Sequence, residues 1–398
     1  MFTRDIWELL RKEIEKDEVL VLTGARQVGK TTTIKWILSQ IQSENKYYFD
    51  LENISNRKLF LVSDYDSLIQ EFQNLGLDIS QKMYIAVDEI QLLPELPSIV
   101  KYLHDHYNIK FLITGSSSYY LKNLFSESMA GRKIIYELYP LSFSEFLRFR
   151  QEDYILPKFS YSAKFSKFAY QKLGQLYQEY TEFGGLPKVV LISDLQDKKK
   201  QLEMIFSSYI NLDVQILSEF RSVKEFAKLV ELLAGRIGNK INVSQLSKIL
   251  GITRQTIDSY LAFMEQTYLI RLIQPFSKSA DVRFRMSPKL YFVDTGIANI
   301  NYDLSVGAKF ENTLCHQLFL HANQNVFGRK LTYFADDNSE IGFILNDDYA
   351  FEIKETPVDT DLIKLSRNAE KIKTSKYRLI GKNMPSTFDD FIWGGMID

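Results

Sequence analysis

Cysteine, an excess of either charge and long apolar runs are what this sequence has least of, and each absence removes a class of protein. Cys315 is the only cysteine among 398 residues, so no disulfide closes within the chain and a small disulfide-stapled domain is excluded. Lys and Arg number 49 and Asp and Glu 50, a formal net charge of -1. Such a chain offers nucleic acid no global attraction, and binding of that kind must come from a local basic face. No stretch approaches about 18 uninterrupted apolar residues, which argues against a membrane-spanning helix. The first residues lack the cationic start, apolar run and small-residue cleavage site of a signal peptide. The expected location is the cytoplasm, without membrane contact. The remaining composition, 45% hydrophobic and 25% charged, is that of a globular protein, and the length predicts roughly two to three domains.

Five short apolar runs read as buried strands: Glu18 to Thr23, Lys46 to Leu51, Lys82 to Val87, Lys110 to Thr114 and Lys133 to Leu138. Helical patterns separate most of them, which predicts an α/β fold with a mostly parallel sheet covered on both faces. Directly after the first run comes Gly24-Ala25-Arg26-Gln27-Val28-Gly29-Lys30-Thr31, which fits the phosphate-loop pattern G-x-x-x-x-G-K-[ST]. Gly24 and Gly29 permit backbone angles and close approaches that a Cβ forbids, so successive N–H groups can face phosphate oxygens. Lys30 brings a positive charge to the β and γ phosphates and Thr31 a hydroxyl to Mg²⁺. Thr32 opens the helix whose dipole points at the same anion.

The second half of such a site is a buried strand ending in acid, and Met83-Tyr84-Ile85-Ala86-Val87-Asp88-Glu89 supplies it. Asp88 is the metal-side carboxylate, and Glu89 is placed to orient and deprotonate the attacking water. A separation of 58 residues between Lys30 and Asp88 leaves room for a helix and another strand. The adjacent Asp-Glu pair and the absence of an N-K-x-D guanine reader favour ATP. On the next strand end, Ser116 either senses the γ phosphate and the water or caps a following helix. Arg132, just before the fifth run, is either a finger completing a neighbouring copy's site or a surface arginine. Arg26 carries a similar ambiguity.

Gly24 to Thr31, Val87 to Gln91, Leu112 to Ser117, Gly131-Arg132, Tyr139 to Phe146 and Gly184 to Pro187 together resemble the segments of a prokaryotic AAA+-type ATPase family. Its members carry a C-terminal region with a winged-helix part and a restriction-nuclease-like part. The resemblance covers nearly the whole chain. It implies an AAA-like P-loop domain at 1–150 that hydrolyses ATP, a helical lid at 151–225, a winged helix at 226–300 and a nuclease-like domain at 301–398.

From Tyr154 to Gln178, lysines interleave with aromatics. The pattern fits either a nucleic-acid groove, with stacking rings and backbone-tracking lysines, or, as the better fit, a helical lid that buries its aromatic stripe. Asn242 to Leu261 has helix-turn-helix form, with Gly251 at the turn, Thr253 as N-cap of the second helix, and a core of Leu246, Ile249, Leu250, Ile252, Ile257 and Leu261. Its would-be reading helix sets one cation, Arg254, against Asp258, so a rigid lid or docking module is favoured over sequence readout. Lys278, Arg283, Arg285 and Lys289 are either phosphate contacts or a solvated loop.

The order after the Phe292-Val293-Asp294-Thr295-Gly296 tract resembles the PD-(D/E)xK nuclease core. Glu311 on a helix, Glu340 at a strand start, and Glu352 and Lys354 on the next strand match parts of the set that gathers Mg²⁺ there. Where the family has an Asp two residues after the strand's Glu, this chain has Gly342. The metal loses a central ligand, so a degenerate, fold-only remnant is expected, and Glu340, about 6.6 Å away along the strand, is the one candidate to replace it. The expected function is therefore an ATP-binding, Mg²⁺-dependent ATP hydrolase acting as a nucleotide-driven switch or scaffold. The alternative is an ATP-dependent DNA-processing protein with an active nuclease domain. Beside ATP, the partners compatible with these readings are DNA through the winged helix or the basic patches, a protein client and further copies of the chain.

Overall fold

The computed structural model describes residues 2–62, 64–115, 131–214, 222–277, 279, 286–323, 330–385 and 387–397. Each of the five apolar runs is a strand, displaced by no more than one residue at either end: β1 (Val19–Gly24), β2 (Lys46–Asp50), β3 (Met83–Asp88), β4 (Ile109–Gly115) and β5 (Lys133–Leu138). They form one sheet in the order β2-β3-β4-β1-β5, and every pairing is parallel. All positions of β1, β3 and β4 are buried. That is why these strands read as unbroken apolar runs rather than as alternating patterns.

Side chains of one strand alternate between the two faces. Val19 and Val21 enter a core with Phe49, Phe60, Phe72, Ile85, Val87, Phe111 and Ile113, in which the rings of Phe49 and Phe60 lie edge to face at 5.1 Å. On the helix Trp7–Lys12, Trp7 stacks on Trp36 at 4.4 Å and donates its indole N–H to Thr33 at 3.0 Å. The helix Lys30–Gln40 that follows the phosphate loop is thereby braced from its side. These elements form one compact unit, Met1–Tyr139 with Gln266–Tyr268; the other comprises Pro140–Glu265 and Leu269–Asp398.

In the second unit the helix expected across the lysine- and aromatic-rich stretch begins only at Lys167 and runs to Phe183, with the Ser166 side chain capping it. It buries Leu173, Tyr177 and Tyr180. The residues before it, 152–166, form neither helix nor strand and turn at Tyr161 and Ser162. Tyr161 stacks on Tyr349 with centroids 3.7 Å apart, and Phe165 packs against Phe391 at 5.1 Å. Rings already stacked on protein neighbours do not offer free faces to bases.

The two helices of the helix-turn-helix are Val243–Leu250 and Arg254–Gln266. Thr253 accepts the Thr256 N–H at 3.1 Å, as an N-cap does. Leu246, Ile257 and Leu261 are buried, whereas Ile249 is 51% exposed. Three residues past Leu246 it lies about 60° to one side of it, while Leu250 lies about 40° to the other. The hairpin β6 (Ile270–Pro275) and β7 (Lys289–Phe292) joins β8 (Leu331–Ala335), β9 (Glu340–Leu345), β10 (Tyr349–Lys354), β11 (Lys376–Gly381) and β12 (Ile392–Trp393) in one sheet, in the order β12-β11-β10-β9-β8-β6-β7. The parts read as separate winged-helix and C-terminal segments thus share a sheet, through the parallel pairing of Gln274 with Thr332 and Pro275 with Tyr333.

Two segments singled out by sequence meet inside this unit. Asp294 accepts the Gly185 N–H at 2.8 Å and caps the helix Thr295–Asn301 by accepting the Ile297 N–H at 3.1 Å. Gly184 has φ +74, and any Cβ on it would overlap the Asp294 carboxylate, so only glycine lets the chain pass so close. Burial pushes the Asp294 carboxyl up to about 6, against the pull of the N–H donors of Gly185, Ile297 and Gly296. In the unfolded chain the group ionises near its ordinary value of 3.8. Between about pH 4 and pH 6 the folded state therefore holds the extra proton, and stability falls as pH rises through that window. Two pK units amount to about 3 kcal/mol. The stability of wild type minus that of Asp294→Asn, measured by urea unfolding, should drop by that order between about pH 4 and pH 7. A difference that stays flat with pH would refute the assignment.

Candidate functional site

The carboxyl ends of the parallel strands share one edge of the first sheet, because Thr23 pairs with Gly115, Val87 with Ile113 and Asp50 with Asp88. In sheets of this kind ligands bind beyond that edge, where the chain order reverses. The phosphate-loop segment lies there. Gly29, at φ 97 and ψ 26, is the N-cap of the helix Lys30–Gln40, a left-handed conformation that glycine takes without strain. Val28 is fully buried, so its side chain anchors the loop while its backbone belongs to the cradle. The Val28 carbonyl accepts a 2.8 Å hydrogen bond from Arg4, whose second nitrogen donates to the Tyr139 carbonyl at 2.9 Å. Lys30 is 5% exposed, and its ammonium donates to the carbonyls of Gly24 at 2.9 Å and Ala25 at 2.8 Å. Ala25 and Arg26 are partly exposed, Gln27 and Thr32 more so.

Thr31 closes the gap to the second motif. Its hydroxyl donates to Asp88 Oδ2 at 2.7 Å across 57 residues of sequence. The same oxygen accepts the Tyr48 hydroxyl at 2.8 Å, and Oδ1 accepts the Thr114 hydroxyl. Burial first, and then the bond to Asp88, push the Tyr48 phenol far above its usual range, so it stays a donor at any working pH. Glu89 sits in left-handed backbone at φ 59; its N–H donates to Thr114 Oγ1 at 3.3 Å and its carboxylate accepts the Gln91 side-chain amide. Glu52 is held above the ordinary carboxylate range by burial and then by the charges of Asp50 and Glu89, with Arg26 pulling the other way. The loop, Lys30, Thr31, Asp88 and Glu89 are therefore one place, as their motifs require.

Tyr48, Thr114, Gln91 and Arg4 were not singled out by role. Thr114 stands one turn of strand before Ser116, which lies outside the described residues. Arg132 is elsewhere. It precedes β5, whose Lys133 pairs with Val19 at the start of β1, so it lies at the amino edge of the sheet, about 20 Å of strand from Gly24. There its Nε pairs with Asp105 Oδ1 at 2.9 Å, with both side chains partly exposed.

In the second unit Glu311, Glu340 and Glu352 lie close enough for their charges to act on one another, and cations of the chain itself answer them. Lys289, 5% exposed, is ion-paired with Glu340, and its charge also lowers the carboxyl of Glu311, which burial otherwise raises. Tyr291 donates to Glu311 at 2.8 Å, while Glu352 takes Lys354 at 3.0 Å and the Gly342 N–H at 3.2 Å. Lys289 is thus no solvated wing residue and no phosphate contact; Lys278, Arg283 and Arg285 lie outside the described residues. Among the described residues no group of three or more His, Cys, Asp and Glu is arranged to hold a metal ion. A Cβ at Gly342 would meet nothing closer than the Phe351 carbonyl at 3.5 Å, so packing alone does not demand glycine there. Also among the described residues, no helix is long and apolar enough to cross a membrane.

Known proteins and families resemble this chain. Residues 16–147, which contain the phosphate loop, Asp88 and Glu89, match the model of an AAA domain, and residues 174–306 match a domain of unknown function. An uncharacterised protein of Haemophilus influenzae is 28% identical over 382 residues, covering 91% of this chain and 90% of its own length. One of Methanocaldococcus jannaschii is 26% identical over 390 residues, covering 94% and 84%. Among solved structures, the Walker-type ATPase PABY2304 of Pyrococcus abyssi is similar with a TM-score of 0.47 at 16% identity, covering 76% of this chain and 96% of that one. With its parallel sheet, its phosphate loop and the matched segment, the chain carries an AAA+-type P-loop ATPase-like domain.

Proposed function

We propose that this protein binds ATP with Mg²⁺ at the edge of the first sheet and hydrolyses it. The observation that carries the reading is the 2.7 Å hydrogen bond from Thr31 to Asp88 beside the buried Lys30, which joins two motifs far apart in sequence. Thr31 and Asp88 present hard oxygen donors, the kind Mg²⁺ takes, and one carboxylate suffices where phosphates supply the remaining ligands. Bound there, Mg²⁺ neutralises charge on the β and γ phosphates. The residues do the rest. The loop N–H groups of Ala25 to Lys30 and the dipole of the helix Lys30–Gln40 receive phosphate oxygens, and the Lys30 ammonium exchanges its loop carbonyls for them. Glu89 takes a proton from the water that attacks the γ phosphorus in line, and Ser116 is the candidate sensor of that phosphate.

The second unit is read as a helical lid (151–225), a winged helix (226–300) and a nuclease-derived domain (301–398) that together act as the nucleotide-driven switch or scaffold. Its partner is a protein or, through the winged helix, DNA. Since Arg132 sits at the far edge of its own sheet, any role for it in phosphoryl transfer requires a second copy of the chain.

Two measurements test the site. Lys30→Ala should weaken ATP binding roughly 100-fold, the loss of two charged hydrogen bonds at about 1.5 kcal/mol each. Glu89→Gln should leave binding near wild type while turnover falls about a hundredfold, the usual share of a general base. Hydrolysis at the wild-type rate by both variants would sink the assignment.

The nuclease alternative is disfavoured because Lys289 already pairs with Glu340 and Lys354 with Glu352. Linear, supercoiled and branched DNA should remain uncut in Mg²⁺ or Mn²⁺; cleavage that disappears in Glu352→Ala would restore that alternative. Lys289→Met should lower the unfolding free energy by about 2 kcal/mol, less than a fully buried broken pair costs, because Glu340 is 55% exposed and its share is screened by solvent. Denaturant unfolding reads the difference.

A further inference from the structure

Asp88 has two oxygens and three hydroxyl donors. Thr31 and Tyr48 share Oδ2 at 2.7 and 2.8 Å, and Thr114 holds Oδ1. Thr31 and Thr114 arrive from the phosphate-loop helix and from β4, the strand beside Asp88. Tyr48 comes from the other side, on β2, where the next-but-one residue Asp50 pairs in register with Asp88. Its ring also carries the ammonium of Lys35, 4.7 Å from the centroid, so one side chain touches β3 through its hydroxyl and the loop helix through its face.

The geometry of these contacts is specific. A carboxylate gripped on one oxygen only can rotate about its Cβ–Cγ bond; were the Thr31 hydroxyl turned to Mg²⁺, Thr114 would hold Oδ1 and Tyr48 would be the hydroxyl that still holds Oδ2. Among the described residues, the Tyr48 hydroxyl touches no residue of the phosphate cradle and has Asp88 as its hydrogen-bond partner. Nucleotide phosphates and the metal-side carboxylate therefore depend on separate groups, and the hydroxyl of Tyr48 belongs wholly to the second.

We propose that Tyr48 is a positioning residue for the metal site: its hydroxyl fixes the Asp88 carboxylate in the orientation in which it supports Mg²⁺ beside Thr31. The inference rests on the ATP- and Mg²⁺-binding reading of the site and adds to it a residue that neither motif contains. Outer hydrogen-bond partners of metal-binding side chains commonly change metal affinity by about 10- to 100-fold when removed. Tyr48 supplies one of three such bonds, which places its effect at the lower end.

Tyr48→Phe removes one oxygen atom and keeps the ring under Lys35. The probe is a fluorescent ADP analogue, titrated against the full-length protein without divalent ion and across a Mg²⁺ series. In Tyr48→Phe the Mg²⁺ concentration for half-maximal enhancement of binding should rise about tenfold, with binding in the absence of Mg²⁺ unchanged. The Mg²⁺ dependence of hydrolysis should shift equally, and kcat at saturating Mg²⁺ should stay within about twofold of wild type. Lys35→Met, which removes the cation on the ring and leaves the hydroxyl, should keep the wild-type Mg²⁺ midpoint. An unmoved midpoint in Tyr48→Phe overturns the inference, as does an equal loss of binding with and without Mg²⁺, which marks a merely structural role. The underlying site reading fails separately: Lys30→Ala that still binds the analogue like wild type removes it, whatever Tyr48→Phe does.

Discussion

Thr31 and Asp88 are 2.7 Å apart through their side chains only because three strands hold one register. β1 pairs with β4 and β4 with β3, so the position of Asp88 relative to the phosphate loop is the sum of two ladders. A slip of one residue in either ladder moves a strand end by about 3.3 Å and turns its side chains to the other face. The bond between Thr31 and Asp88 would not survive that. Register in turn is fixed by burial: Val19, Val21, Ile85, Val87, Phe111 and Ile113 all enter one core, and a slipped strand would place its other residues there. The apolar packing below the sheet thus sets the polar geometry at its edge.

This dependence explains what could be read from the sequence. Strands buried on both faces leave an uninterrupted apolar signature, so β1, β3 and β4 were legible to within a residue. The phosphate loop and the Asp88-Glu89 pair were legible because their chemistry needs neighbouring residues in fixed order. Tyr48, Thr114 and Arg4 were not. Each reaches the site through a tertiary approach: Tyr48 through the pairing of β2 with β3, Thr114 through β4, and Arg4 across 24 residues to the Val28 carbonyl. No local pattern encodes such contacts, and a tyrosine in a strand or an arginine near an N-terminus reads as ordinary.

Two segments misled for physical reasons. The aromatics between Tyr154 and Phe165 recur at spacings that a helix would also give, yet the chain there is not helical: Tyr161 stacks on Tyr349 and Phe165 packs against Phe391. Tertiary stacking overrode local periodicity. Lys289 sat among other cations in a stretch that resembled a solvated loop, but it belongs to β7 and is 5% exposed. A buried ammonium must be paired, and the partner, Glu340, lies more than fifty residues on, beyond any local window.

That pairing bears on how the charge of the acids beside the C-terminal sheet is compensated within the chain. Glu311 is buried with its carboxyl raised, and the charges of Glu340 and Glu352 act on it in the same direction. Three such groups left alone would cost several kcal/mol in the folded state. Lys289, Lys354, the Tyr291 hydroxyl and the Gly342 N–H answer them one by one. The set is therefore self-supporting: each member compensates another, and losing any one leaves a partly buried charge unpaired. Gly342, where a Cβ would fit but none is present, adds no further acid for the lysines to offset.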